Sequence, residues 1–350
     1  PLVATVDDGR LEVVIPPGER AGDAEIVVFN PNGSATATGL FHYSSPPAIA
    51  SVAPSRILFS SQSTRVTITG TGFLDEGAGV ADVLLDGQPA TEVLVTSDGS
   101  LTFTAPPGPA LVRPEIQVIN TRGIAIEERG FLYIPGARGG LLLFPTSSNP
   151  FAVFFDPVDN SVTPIPRTGA FATRFTAVVR DDRGDYWGFD RARRFGRINM
   201  RTQVLEAPMQ TQHVIPAMVR ANGLHFAIER NFLRFGIFDP ASGSIDHFGD
   251  SPPCCGSFGM AFDGATLYFT GRSGADRLIN TMDPTTGTVG TPVTLTAPPG
   301  FHVEDLRFFN QVLYASSRDG TFATIDPATG IVTLLPLGFQ RYNAIEVFEP

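Results

Sequence analysis

The chain has 350 residues, 42% of them hydrophobic and 10% aromatic, with 36 Gly, 30 Pro and a formal net charge of -10. That much apolar material can build more than one core; the acidic balance argues against nucleic acid as a partner, and no apolar run is long enough for a membrane-spanning helix. All 25 basic residues are Arg, so chemistry that needs a lysine of this chain is excluded.

Residues 1–134 contain a repeat with an offset of 90. Leu11-Glu12-Val13-Val14-Ile15-Pro16-Pro17-Gly18 returns as Leu101-Thr102-Phe103-Thr104-Ala105-Pro106-Pro107-Gly108, and Glu25-Ile26-Val27-Val28-Phe29-Asn30 returns as Glu115-Ile116-Gln117-Val118-Ile119-Asn120. The period-two alternation of these runs predicts strands of two like sandwiches. The complete copy carries Pro47-Ala48-Ile49-Ala50-Ser51-Val52-Ala53-Pro54, Val66-Thr67-Ile68-Thr69-Gly70-Thr71-Gly72-Phe73, Val83-Leu84-Leu85-Asp86-Gly87 and Ala105-Pro106-Pro107-Gly108. In these runs it resembles the IPT/TIG family of immunoglobulin-like domains. The resemblance covers about a quarter of the chain and implies a spacer or interaction sandwich. Residues 1–45 match only its closing half, too little to bury a core, so the missing strands are expected from chain upstream or from a neighbouring molecule.

From Phe151 onward one phrase recurs: Phe155-Asp156-Pro157, Ile198-Asn199-Met200, Phe238-Asp239-Pro240, Met282-Asp283-Pro284 and Ile325-Asp326-Pro327. Its Asp or Asn positions stand 43, 40, 44 and 43 residues apart. A period in the low forties, built from short apolar runs and turns, predicts a β-propeller. In its full form, at Asp239, Asp283 and Asp326, Asp caps a turn, Pro presets φ at the first corner and Gly supplies positive φ at the exit. Residues 343–348 match a first strand with nothing after it, while the unit opening at Gly140-Leu141-Leu142-Leu143-Phe144 lacks one. The terminal strand is therefore expected to complete the opening blade and hide two sheet edges. The predicted fold is all-β: a half sandwich (1–45), a complete IPT/TIG-like sandwich (46–135) and a five-bladed propeller closed by the C-terminal strand (136–350).

Equivalent turns between second and third strands carry Arg191, Arg193 and Arg194, then Arg230, then Arg272 and Arg277, then Arg318. The same face of a propeller would hold Arg174, His213, His302, Glu304, Arg341 and Asn343. Guanidiniums around one mouth can clamp carboxylates or sulfates bidentately, which suggests an acidic polysaccharide or acidic protein segment as ligand. The plainer expectation is that these arginines pair with Asp190, Asp276 and Asp319 in their own turns. Cys254 and Cys255 are adjacent on the loop into the fourth blade, as a vicinal disulfide, as free thiols or paired with another chain. His42, His213, His225, His247 and His302 show no metal-ligand spacing, and no cofactor motif is present. Glu304, Asp305 and Glu346 are the acids near first strands, and a glycosidase through Glu304 is the minority expectation. The leading one is an extracellular or cell-surface binding or adhesion module without catalysis. Its partners would be further copies of itself, other surface proteins or an acidic glycan; a subunit of a surface filament is the alternative.

Overall fold

The computed structural model describes residues 3–7, 9–16, 22–61, 64–74, 78–146, 151–169, 173–230, 234–247, 259–273, 275–337 and 340–349. Strands and turns make up the described residues, and none is helical. Among the described residues no helix is long and apolar enough to cross a membrane. The chain divides into two compact units. One is Pro1–Ser55, Ser61–Pro106 and Arg113–Phe131; the other is Arg56–Ser60, Pro107–Val112 and Leu132–Pro350.

In the first unit, two four-stranded sheets follow the predicted alternation. One runs Thr91–Ser97, Ser100–Ala105, Thr64–Thr71, Ala48–Ala53; the other runs Gly123–Glu127, Ile116–Asn120, Asp82–Leu85, Gln88–Pro89. Val66, Ile68, Leu101, Phe103, Ile116 and Val118 are fully buried, while residues between them in the strands are at least partly exposed. The Thr-Gly-Thr-Gly-Phe run has a steric basis. A Cβ on Gly70 would collide with the Ala48 carbonyl and the Phe73 ring. Gly72 takes φ +79°, and its carbonyl accepts a bond from the buried Asn120 amide at 2.8 Å. Gly70→Val should therefore lower the unfolding free energy of this unit by about 3 kcal/mol in denaturant titration. An unchanged midpoint would show that the backbone yields there.

Residues 3–43 form two separate hairpins, Val3–Asp7 with Arg10–Val13 and Gly22–Asn30 with Gly33–Tyr43. Val28 is 39% exposed, whereas Val118, ninety residues on, is 0% exposed.

The second unit contains five four-stranded antiparallel sheets, here I to V. Sheet I is Tyr342–Phe348, Gly140–Pro145, Val153–Asp156, Ser161–Pro164; sheet II is Phe175–Arg180, Tyr186–Asp190, Arg194–Asn199, Val204–Gln210. Sheet III is Ala217–Ala221, Leu224–Glu229, Arg234–Phe238, Ile245–His247; sheet IV is Met260–Phe262, Leu267–Ser273, Ala275–Met282, Val293–Thr294. Sheet V is Val303–Phe309, Val312–Ser317, Phe322–Ile325, Val332–Leu335. The C-terminal strand pairs with the opening one, Leu141 opposite Val347 and Leu143 opposite Ile345.

First strands are neighbours in the order I, II, III, IV, V, and that of V also neighbours that of I. An apolar cluster lies between each neighbouring pair. Phe144, Phe154 and Phe175 join I to II, and Phe189, Phe195 and Phe238 join II to III. Phe235, Met260 and Phe269 join III to IV; Ile279, Phe301 and Leu306 join IV to V; Phe155, Tyr314 and Phe322 join V to I. Arg56–Leu58 pairs in parallel with Leu132–Ile134, and Ala110, Leu111 and Ile134 pack into the cluster of sheets I and II.

The recurring turn behaves as its residues dictate. Asp239, Asp283 and Asp326 accept from the backbone two residues on, at 2.9, 2.8 and 2.9 Å. Gly243, Gly287 and Gly330 close the loops at φ +72°, +70° and +74°. The side-chain and backbone hydrogen bonds hold all three carboxyls below the ordinary value.

Candidate functional site

First strands II, V and I each carry a bulge near their start. Phe175 pairs with Asp190 and Ala177 with Phe189, leaving Thr176 as the extra residue. Val303 pairs with Ser317 and Asp305 with Ser316, leaving Glu304; Phe144 pairs with Ala344 and Pro145 with Tyr342, leaving Asn343. An unpaired extra residue re-aims its side chain out of the sheet. Thr176, Glu304 and Asn343 all line one cavity of about 580 Å³.

Its walls add Arg191, Arg230, Arg318, Arg341, Val214 and Pro216. Local hydrogen bonds fix where these arginines stand. Asp190, 6% exposed, accepts from the Ala192 and Arg194 backbone at 2.9 Å each and so shapes the turn bearing Arg191. The Arg230 N–H donates to the Val214 carbonyl at 2.9 Å, and the Arg318 N–H to the His302 carbonyl at 2.7 Å. The Arg341 carbonyl accepts from Thr146 at 3.0 Å. Glu304 Oε1 accepts from Arg318 Nε at 2.7 Å and from Arg341 Nη2 at 2.6 Å. The described lining residues thus include four arginines and one carboxylate, with two of the guanidiniums bonded to it, a positive site in a chain of net charge -10.

Deeper along the first strands lies Arg307, 3% exposed. Its Nη1 donates to the carbonyls of Met260 at 2.7 Å and Leu306 at 3.2 Å. Its Nη2 donates to Val178 at 2.6 Å, to Met218 at 2.9 Å and to Glu346 Oε2 at 3.1 Å. One guanidinium therefore bonds the first strands of all five sheets, filling edge acceptors that would otherwise be empty. Asp305, 2% exposed, accepts from the Leu306 and Ile345 N–H groups at 2.8 and 2.7 Å. Burial pushes its carboxyl up to about 7 against the opposing charge of Arg307.

The cavity gathers six of the residues expected at the mouth: Arg191, Arg230, Glu304, Arg318, Arg341 and Asn343. Arg174 is exposed and is not a lining residue. Arg194 turns to Asp190, with Nε 2.8 Å from Oδ2, as the plainer expectation held for that turn. Arg318 reaches Glu304 in the first strand of sheet V, where Asp319 of its own turn was the expected partner. Cys254 and Cys255 lie outside the described residues, as do the side chains of Arg272, Asp276 and Arg277.

Arg307 was not anticipated, although a lone charge inside the apolar run Leu306 to Phe309 is its signal. A second unforeseen group is the buried Glu229, which holds His213 Nδ1 on Oε1 and His247 Nε2 on Oε2, each at 2.7 Å. Among the described residues no group of three His, Cys, Asp or Glu could hold a metal ion.

No curated protein matches the chain. Among solved structures, a protein of unknown function from Bacteroides thetaiotaomicron is 12% identical over 83% of this chain and 72% of its own, at TM-score 0.38. An auxiliary nutrient binding protein from the same organism is 14% identical over 82% and 69%, at TM-score 0.34. A nidogen/laminin complex chain is 12% identical over 76% and 98%, at TM-score 0.39. Similarity at this level carries no argument about function. Residues 240–344 match a family described as a repeat of unknown function. Residues 47–127 match the IPT/TIG domain family, and this part of the chain is an immunoglobulin-like domain.

Proposed function

We propose that sheets I to V are the blades of a closed five-bladed β-propeller, and that it is the recognition domain of an extracellular or cell-surface binding module. The IPT/TIG domain would serve as its stalk. Support for closure comes from the pairing of Tyr342–Phe348 with Gly140–Pro145, from an apolar cluster at each sheet boundary and from the five-strand bonding of Arg307. The observation that carries the function is the cavity, which arginines from sheets II, III, V and I line together with one carboxylate. Such a site suits an anionic partner, an acidic glycan or an acidic protein segment.

In this reading the cavity holds its ligand without cleaving it. Glycosidases commonly set two carboxylates about the scissile bond, and Glu304 is the single acid among the described lining residues. Titrating the full chain with oligogalacturonate and with polyglutamate tests the reading. At least one should bind, with affinity falling as salt rises, and Arg191→Ala should weaken it by about tenfold. Binding of neither, or release of reducing sugar, would overturn it.

A further inference from the structure

The same cavity carries a finer signature than positive charge. Asn343 is 7% exposed and lines the cavity, and its side-chain amide carries both a donor and an acceptor. An amide in the lining of a cavity suits a ligand that can both accept and donate. Glu304, 6% exposed, takes both of its guanidinium bonds on Oε1, which leaves Oε2 to accept from something else. Both residues are the extra residues of their bulges, so the backbone is bent at the two points where these groups face the cavity.

The charge at Glu304 decides what that second partner is. One carboxylate already faces two guanidiniums, so a third cation would meet a local excess of positive charge, and an anion would meet the carboxylate itself. A neutral hydroxyl satisfies Oε2 without either penalty. The anionic end of a ligand belongs with Arg191 and Arg230, which line the same cavity while Arg318 and Arg341 hold Glu304.

Resting on the anion-binding reading above, we infer that the cavity recognises a carboxylate and neighbouring hydroxyls together. Its ligand class is then the uronate-type hydroxy acid, free or within a polysaccharide. Sulfate, which offers only acceptors, leaves Glu304 Oε2 and the Asn343 acceptor unanswered.

Calorimetric titration of the full chain with galacturonate, oligogalacturonate, sulfate and a zwitterionic amino acid of similar size tests this. Uronate should bind more tightly than sulfate or the amino acid. The uronate-to-sulfate affinity ratio should fall about tenfold in Glu304→Gln and in Asn343→Ala. Asn343→Ser, with thermal melting of every variant, separates loss of contact from loss of fold. Tighter binding of the oligomer than of the free acid assigns a polysaccharide source; equal binding assigns the free acid. An unchanged ratio in folded variants, or tighter binding of sulfate or the amino acid, overturns the inference while leaving anion binding intact. Binding of none of the probes overturns the anion-binding reading and this inference with it.

Discussion

A full chain carrying Arg307→Met should lose about 4 kcal/mol of unfolding free energy in its second unit, a drop of roughly 10 °C in melting temperature. The side chain has similar reach and is apolar, so the loss is one of bonds more than of packing. Without the guanidinium, the carbonyls of Val178, Met218 and Met260 lose a charged donor, and Glu346, 8% exposed, is left as an unpaired buried charge. Removing one partner of a buried ion pair costs far more than removing both. Arg307→Met combined with Glu346→Leu should therefore recover part of the loss. Melting curves of the two variants check this, and a single variant as stable as wild type would remove Arg307 from its structural role.

Asp305 gives the second large effect, and its sign is opposite to that of a surface carboxylate. Its folded-state value is pushed up from 3.8 to about 7 by burial. The folded chain binds this proton more tightly than the unfolded chain, so the contribution is fully present below about pH 3.8 and is lost as pH rises through about 7. At about 1.4 kcal/mol per pH unit, the swing between those limits is on the order of 4 kcal/mol. Unfolding free energy measured by denaturant titration should thus decline from pH 4 to pH 7 beyond what the turn carboxylates contribute. Asp239, Asp283 and Asp326 are held low, so their share is present at neutral pH and is lost only under stronger acid. Asp305→Asn should flatten the decline. Asn cannot ionise and, like the protonated carboxyl, keeps one full acceptor for the Leu306 and Ile345 N–H groups, so its stability should vary little with pH where that of wild type declines. A variant with the wild-type slope would assign the decline to another group.

Much of this was open to inspection in the residues themselves. The Asp-Pro-x-x-Gly phrase encodes a turn by local chemistry, so its spacing marks successive sheets without any tertiary knowledge. The unmatched first strand at Asn343 to Phe348 follows from counting strands, and it pairs where the count requires. The Thr-Gly-Thr-Gly-Phe run marks the IPT/TIG domain because a Cβ at Gly70 has no room.

Features set by long-range geometry were hidden. The bulges at Thr176, Glu304 and Asn343 involve three unlike residues and no glycine, so nothing local distinguishes them from regular strand. Arg307 acquires its meaning only when carbonyls 129 and 89 residues away converge on it. Likewise Arg318 has an aspartate next to it in sequence, yet it selects Glu304 because the bulge brings that carboxylate within 2.7 Å.

In the proposed site, arginines drawn from separate sheets line one anion-binding cavity with Glu304. The most direct measurement is a crystal structure of the full chain soaked with trigalacturonate. A carboxylate is expected against Arg191 and Arg230, with sugar hydroxyls on Glu304 and Asn343. Ligand density elsewhere on the molecule, or an empty cavity at saturating trigalacturonate, would contradict it.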